Sequence, residues 1–245
     1  MLSSKDPDVA FKLFEVLKLA DMLFVESLKK MIISRVQDDW PGQTTLQEWI
    51  ARNEKYSKQG IHRWDERDRR FPEPASVLRL ARRFEPSLAT PFLLYDLSFR
   101  HPSALYEDKK PLNPHVLAAR WGLVPLEERA LIGECRDKIL QFTTDGLEFI
   151  LDRMHCSNED HQCSSQWPFR ISRMQTSLIH GCDPLGVLTL FLLDGERGDL
   201  VYIDAERGAE YYEDVLCESC TRDWDHRVRE LRDSVFEKVD LWYRV

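Results

Sequence analysis

Apolar residues recur at three- and four-residue steps through most of the chain, the spacing that lines up one face of an α-helix. Leu13, Val16, Leu17 and Ala20 form the first such stripe. Phe24, Leu28, Met31, Ile32 and Val36 form a second, before Asp38, Asp39, Pro41 and Gly42 turn the chain. Thr44 or Thr45 can cap a third helix around Leu46, Trp49 and Ile50, with Glu48 placed as in a capping box. Beyond Pro72 and Pro74 the stripe returns at Val77, Leu80, Ala81 and Phe84, and again at Leu88, Phe92, Tyr95 and Phe99. This second pair echoes the first. Val16-Leu17-Lys18-Leu19-Ala20 is matched by Val77-Leu78-Arg79-Leu80-Ala81, and Ser27-Leu28 by Ser87-Leu88. Two copies are too few for a solenoid and predict two similar helical hairpins packed side by side.

A proline-marked loop from His101 to Pro114 leads to the segment from Pro125 to Met154. There Leu131, Cys135, Ile139, Phe142, Phe149 and Ile150 predict one long helix with Pro125 in its first turn. The stretch HCSNEDHQC, His155 to Cys163, interrupts the pattern. Shorter apolar runs span Ile171 to Ile179 and Leu185 to Leu193, and the segment from Glu196 to Val215 is mixed. Trp224, Val228, Leu231, Val235 and Trp242 then predict a final helix. No period-two alternation bounded by Asn-Gly or Asp-Gly turns stands out, as a hairpin-built sheet would require. The fold class predicted is all-α, a multi-helix array of antiparallel hairpins with about ten helices.

Composition adds bounds but no reaction. The 245 residues are 43% hydrophobic and 31% charged, enough apolar material for one large or two small cores. With 34 bases against 42 acids the net charge is −8, a field that repels phosphate backbones and anionic lipid. The polar run KYSKQGIHRWDERDRR reads as a linker, which divides the chain into a helical segment 1–54, a basic linker 55–71 and a C-terminal helical domain 72–245. From Lys55 to Arg83 nine bases face four acids, a local +5 that reads first as a solvated surface and second as a docking patch for an acidic partner or nucleic acid. From Asp194 onward fifteen acids and eight bases leave −7, so the two regions could attract each other within the molecule. No window approaches the roughly 18 apolar residues of a spanning helix, and charge in MLSSKDPDVAF breaks any signal-like stretch. An intracellular protein, cytoplasmic or nuclear, is expected.

In a reducing compartment the six cysteines are expected to be buried, metal-bound or redox-active rather than paired as structural disulfides. The sharpest local signal is Cys217-Glu218-Ser219-Cys220, expected just before a helix that begins near Thr221 to Asp223. Two thiolates at this spacing can grip one tetrahedral zinc or act as a redox dithiol. The neighbouring acids Glu213, Asp214, Glu218, Asp223 and Asp225 oppose thiolate formation, and no βαβ pattern precedes the motif, so the redox reading is the weaker. Cys156, His161 and Cys163, with His155 adjacent, offer further zinc ligands. The set chosen is Cys156, Cys163, Cys217 and Cys220, which would bind one structural zinc and staple the long helix to the last one. Unligated, partly buried cysteines are the competing reading. Cys135 lies on an apolar stripe and reads as core, while Cys182, beside His180 and Asp183, is a spare ligand.

Enzyme motifs find no support. A zinc deaminase needs His-x-Glu or Cys-x-Glu followed by Pro-Cys-x-x-Cys, but Ser157 and Asn158 follow Cys156 and Leu216 precedes Cys217. Nucleotide-cradling glycine loops, zincin helices and the serine elbow are missing as well. Acid pairs such as Glu127-Glu128 and Asp223/Asp225 are expected by chance in so charged a chain and read as solvated faces.

The segment FEVLKLADMLFVESLKKMIISRVQDDWPGQTTLQEW resembles the helices that close BTB/POZ domains in a group of fungal BTB-domain proteins. FPEPASVLRLARRFEPSLATPFLLYDLS looks like the helical pair that follows there, comparable to a BACK-type extension. LCESC with its charged, tryptophan-bearing helix is similar to that group's C-terminal region, where Cys156 and Cys163 would be the upstream cysteine pair. The strand-rich first part of such a domain would precede residue 1. The resemblance implies a non-enzymatic protein-protein interaction module, a scaffold or substrate adaptor, with a cullin-type ubiquitin ligase as one implied partner and no catalytic residue. Recognition would place a partner segment in an apolar groove between helices. The alternative is a zinc- or thiol-dependent enzyme using the Cys217/Cys220 site.

Overall fold

The computed structural model describes residues 8–39, 48, 73–86, 91–100, 118–156, 163–179, 183–195, 202–203, 210–211 and 216–243. The expected helix around Leu46 to Ile50 and the linker 55–71 fall essentially outside them. Eight α-helices are described: α1 (Val9–Met22), α2 (Glu26–Asp39), α3 (Pro74–Phe84), α4 (Pro91–Ser98), α5 (Leu126–Arg153), α6 (Cys163–Ile179), α7 (Pro184–Gly195) and α8 (Glu218–Trp242). A 3-10 turn covers Trp121–Leu123. One extended pairing occurs among the described residues, a two-residue antiparallel ladder that sets Tyr202 against Tyr211 and Ile203 against Glu210. The fold is all-α. No described helix is long and apolar enough to cross a membrane. The chain divides into two compact units, Met1–Arg136 with Val239–Val245, and Asp137–Lys238.

In the first unit α1 packs on α2 and α3, and α3 packs on α4. The two expected hairpins therefore form. The buried face of α1 is Val9, Ala10, Leu13, Phe14, Leu17 and Ala20, with Val16 exposed, so its stripe is rotated from the one predicted. In α2, Ile32 and Val36 are buried while Met31 is exposed. Phe14 meets Phe84 edge-on at 5.5 Å, and the Arg79 guanidinium lies 3.8 Å from the Phe14 ring centroid. Arg82 pairs with Glu128. These described members of the basic run make contacts within the unit. Cys135 is buried and its thiol donates to the Trp242 carbonyl at 3.2 Å, as a core cysteine should. Tyr243 donates its hydroxyl to Ser98 Oγ at 3.0 Å, and Arg100, 3% exposed, closes a buried pair with Asp96.

Glu73 starts α3 from a buried position. Its carboxylate accepts from the Ala75 and Ser76 amides at 3.0 and 2.8 Å, from Ser76 Oγ at 2.5 Å and from the Arg120 amide at 3.0 Å. Pro74 supplies a first-turn residue with no amide to satisfy. Glu73→Ala removes the acceptor from four buried or half-buried donors at once. It is expected to cost about 2–3 kcal/mol, read as a lower urea midpoint at unchanged slope.

The second unit contains the later turns of α5, then α6, α7 and α8 up to Lys238. Leu147 and Ile150 of α5, Trp167, Ile171 and Met174 of α6, Leu185 and Leu188 of α7, and Trp224, Val228 and Val235 of α8 are buried. Phe149, expected on the stripe, is exposed, and Leu147 takes its place inside. A Cβ at Gly146 would run into the Leu231 side chain, so the missing methyl at this point of α5 is what lets Leu231 pack there. Asp183 caps α7 through the Gly186 amide at 2.6 Å, which gives it a structural use beside Cys182.

Candidate metal centre

Three helix ends deliver four sulfurs. Cys156 lies just beyond the C-terminus of α5, Cys163 is the first residue of α6, and Cys217 and Cys220 bracket the first turn of α8. All four Sγ atoms lie within 4.8 Å of one another, and Cys156 and Cys217 are 3.9 Å apart. This is the set chosen from the sequence, brought together across the unit. Of the alternatives, His155 is exposed and outside the cluster, while His161 and Cys182 fall outside the described residues.

The spacing suits a single ion. Bonds of about 2.3 Å at tetrahedral angles place sulfurs about 3.8 Å apart, whereas a disulfide needs about 2.05 Å. None of the four is in a disulfide, with Cys163 and Cys220 buried and Cys156 and Cys217 half-buried. Four close cysteines of this kind could hold a metal ion. The protein also supplies N–H groups to the sulfurs, as a highly charged thiolate set requires. The Cys217 amide donates to Cys163 Sγ at 3.4 Å.

The start of α8 corrects the sequence reading. The helix begins at Glu218, not at Thr221 to Asp223, and the Thr221 amide bonds the Cys217 carbonyl at 2.9 Å. Cys217 thus occupies the capping position, where a side-chain acceptor meets amides at the positive end of the helix. Its thiol is lowered to about 7, chiefly by the Cys220 backbone N–H and then by the Cys220 side chain. The neighbouring acids Glu218 and Asp223 do not prevent this. Glu218 points into solvent beside Arg222, and Asp223 is held by Arg227 at 3.1 Å, so their charges are screened or paired while the amide is in contact with the sulfur. Burial pushes the Cys163 and Cys220 thiols up. A metal must displace protons from these two, so its affinity rises with pH.

One turn beyond the buried cysteines the pattern repeats. Trp167 follows Cys163 by four residues on α6, and Trp224 follows Cys220 by four on α8. The two indoles stack with centroids 5.6 Å apart and planes at 16°, both almost fully buried. The sulfur cluster and the tryptophan pair are therefore two successive layers between the same helices. Sequence periodicity placed Trp224 on the apolar stripe of the last helix without linking it to the cysteines, although the shared Cys-x-x-x-Trp spacing is visible in the chain. In comparisons with known proteins, no family model, no curated protein and no solved structure matches this chain.

Proposed function

We propose that the protein is a non-enzymatic protein-protein interaction module, a scaffold or substrate adaptor of the BTB-like type, whose second unit is held by one structural zinc on Cys156, Cys163, Cys217 and Cys220. Zinc is the choice because four soft thiolates at tetrahedral spacing with no position left open are a structural zinc set. The observation that carries the binding function is the corner between α1 and α2. There Phe24 has φ 55° and is 86% exposed, beside Leu23 at 71% and Met22 at 69%.

The corner is built as a Schellman turn, with the Val25 amide on the Ala20 carbonyl at 2.8 Å and the Phe24 amide on Asp21 at 3.2 Å. Glycine is the usual residue at the left-handed position, and a bulky side chain there costs about 1–2 kcal/mol. A strained aromatic held out in water with large apolar neighbours is the kind of patch that binding surfaces use. Lys29 bonds Asp21 at 2.8 Å and keeps the turn in shape. The test is affinity capture from a cell extract with the wild-type chain and with Phe24→Asp. A partner retained by the wild type and lost at least tenfold by the variant, at equal helical content, supports the reading; equal capture overturns the role of the corner.

The zinc- or thiol-dependent enzyme remains as a second reading because Cys217 sits at a helix N-terminus, where thiolates form readily. It requires rapid alkylation of Cys217 by iodoacetamide in the purified protein at neutral pH. A structural zinc requires all four thiols to resist until a chelator is added.

A further inference from the structure

We infer that Cys156 and Cys217 form a peroxide-sensitive pair whose oxidation to a disulfide expels the metal and opens the second unit. This rests on the proposed metal clasp and adds its regulation. The four sulfurs are not equivalent. Cys163 and Cys220 are buried at 3% and 5% exposure, whereas Cys156 and Cys217 are half-buried and 3.9 Å apart, so an oxidant from solvent reaches these two first. Their backbones also differ in freedom. Cys156 lies in the non-helical residues 154–156 after α5, where a small rotation can bring its sulfur to bonding distance. Cys163 and Cys220 are fixed within helical first turns and are buried.

The step balances with one hydrogen peroxide. The Cys217 sulfur attacks the O–O bond, becomes a sulfenic acid and releases hydroxide. The Cys156 sulfur then attacks Cys217, forms the S–S bond and displaces a second hydroxide. Two electrons pass from the two sulfurs to the peroxide, and two protons from solvent convert the hydroxides to water. Only Cys163 and Cys220 would then remain to hold an ion, too few for a closed tetrahedral site, so its release is expected.

The experiment uses the purified, metal-loaded full-length chain. Metal content is measured first. Peroxide is then added in equal amount, released zinc is followed with a colorimetric chelator, and the disulfide is mapped. Glu159 and Glu218 allow a glutamate-specific protease to separate Cys156 from Cys163 and Cys217 from Cys220. The expected result is one zinc released for each disulfide formed, with Cys156 joined to Cys217 and the other thiols still reduced. A Cys217–Cys220 or Cys156–Cys163 bridge, or zinc retained at tenfold excess of peroxide, overturns the inference and leaves the clasp standing. Protein that binds no zinc before oxidation overturns the clasp itself.

Discussion

Cys163→Ser is expected to abolish the proposed metal binding and to unfold the second unit. Cys163 is almost fully buried, lies within 4.8 Å of the other three sulfurs and receives the Cys217 amide. A serine hydroxyl has the same shape but is a poor ligand for a soft ion. Structural zinc contributes about 10–16 kcal/mol of apparent binding free energy in small zinc-dependent domains, while a unit of this size has a total stability of about 5–15 kcal/mol. The loss is therefore of the same size as everything that keeps the unit folded. Metal analysis should fall from one zinc per chain to below about one tenth, and the thermal midpoint by more than about 10 °C. Cys135→Ser is the control, because that thiol bonds the Trp242 carbonyl and belongs to no cluster. If Cys163→Ser keeps its zinc and its midpoint, Cys163 is a packing residue and the four-cysteine clasp is overturned.

Trp224→Ala is expected to destabilise the same unit by about 3–5 kcal/mol, the range for removing a buried aromatic from a packed core. Trp224 is 1% exposed, stacks on Trp167 and lies 5.8 Å from the Arg170 guanidinium. Trp224→Phe should cost only about 1–2 kcal/mol. The indole N–H finds no acceptor among the described residues, so phenylalanine gives up area but no hydrogen bond. Urea unfolding of the metal-loaded proteins measures both. A similar loss for the two variants would mean that the full indole, and not merely an aromatic ring, is needed to hold this layer.

The fold class was legible because nearly every described element is a helix with at least one apolar face. The long helix predicted from Pro125 to Met154 runs from Leu126 to Arg153. Which residues face inward was read less well where apolar residues occupy more than one face. On α1 both Leu17 and Leu19 fit a hydrophobic pattern, yet Leu17 is buried and Leu19 is exposed. Phe24 was placed on a buried stripe because spacing cannot reveal a left-handed turn ahead of the helix. Backbone geometry turns that side chain outward.

The grouping of Cys156, Cys163, Cys217 and Cys220 was legible for a different reason. Cysteine pairs separated by more than fifty residues carry no periodicity, but few other soft ligands compete with them in this sequence. What remained hidden was the start of α8 at Glu218, and with it the amide contact that offsets the acids around Cys217. A helix amide in direct contact with a sulfur outweighs carboxylates that are exposed or already paired. Such a contact is set by where the helix begins, and cap positions are the least certain feature of any apolar pattern.

The Glu73 carboxylate joins amides at residues 75 and 76 to one at residue 120, so a local helix start is completed by a partner 47 residues away. During folding, α3 can form its first two capping bonds early, but full anchorage waits until the chain has closed that loop. The start of α3 and the segment at 118–120 should consequently fray together as one cooperative block, a small latch between distant stretches of sequence.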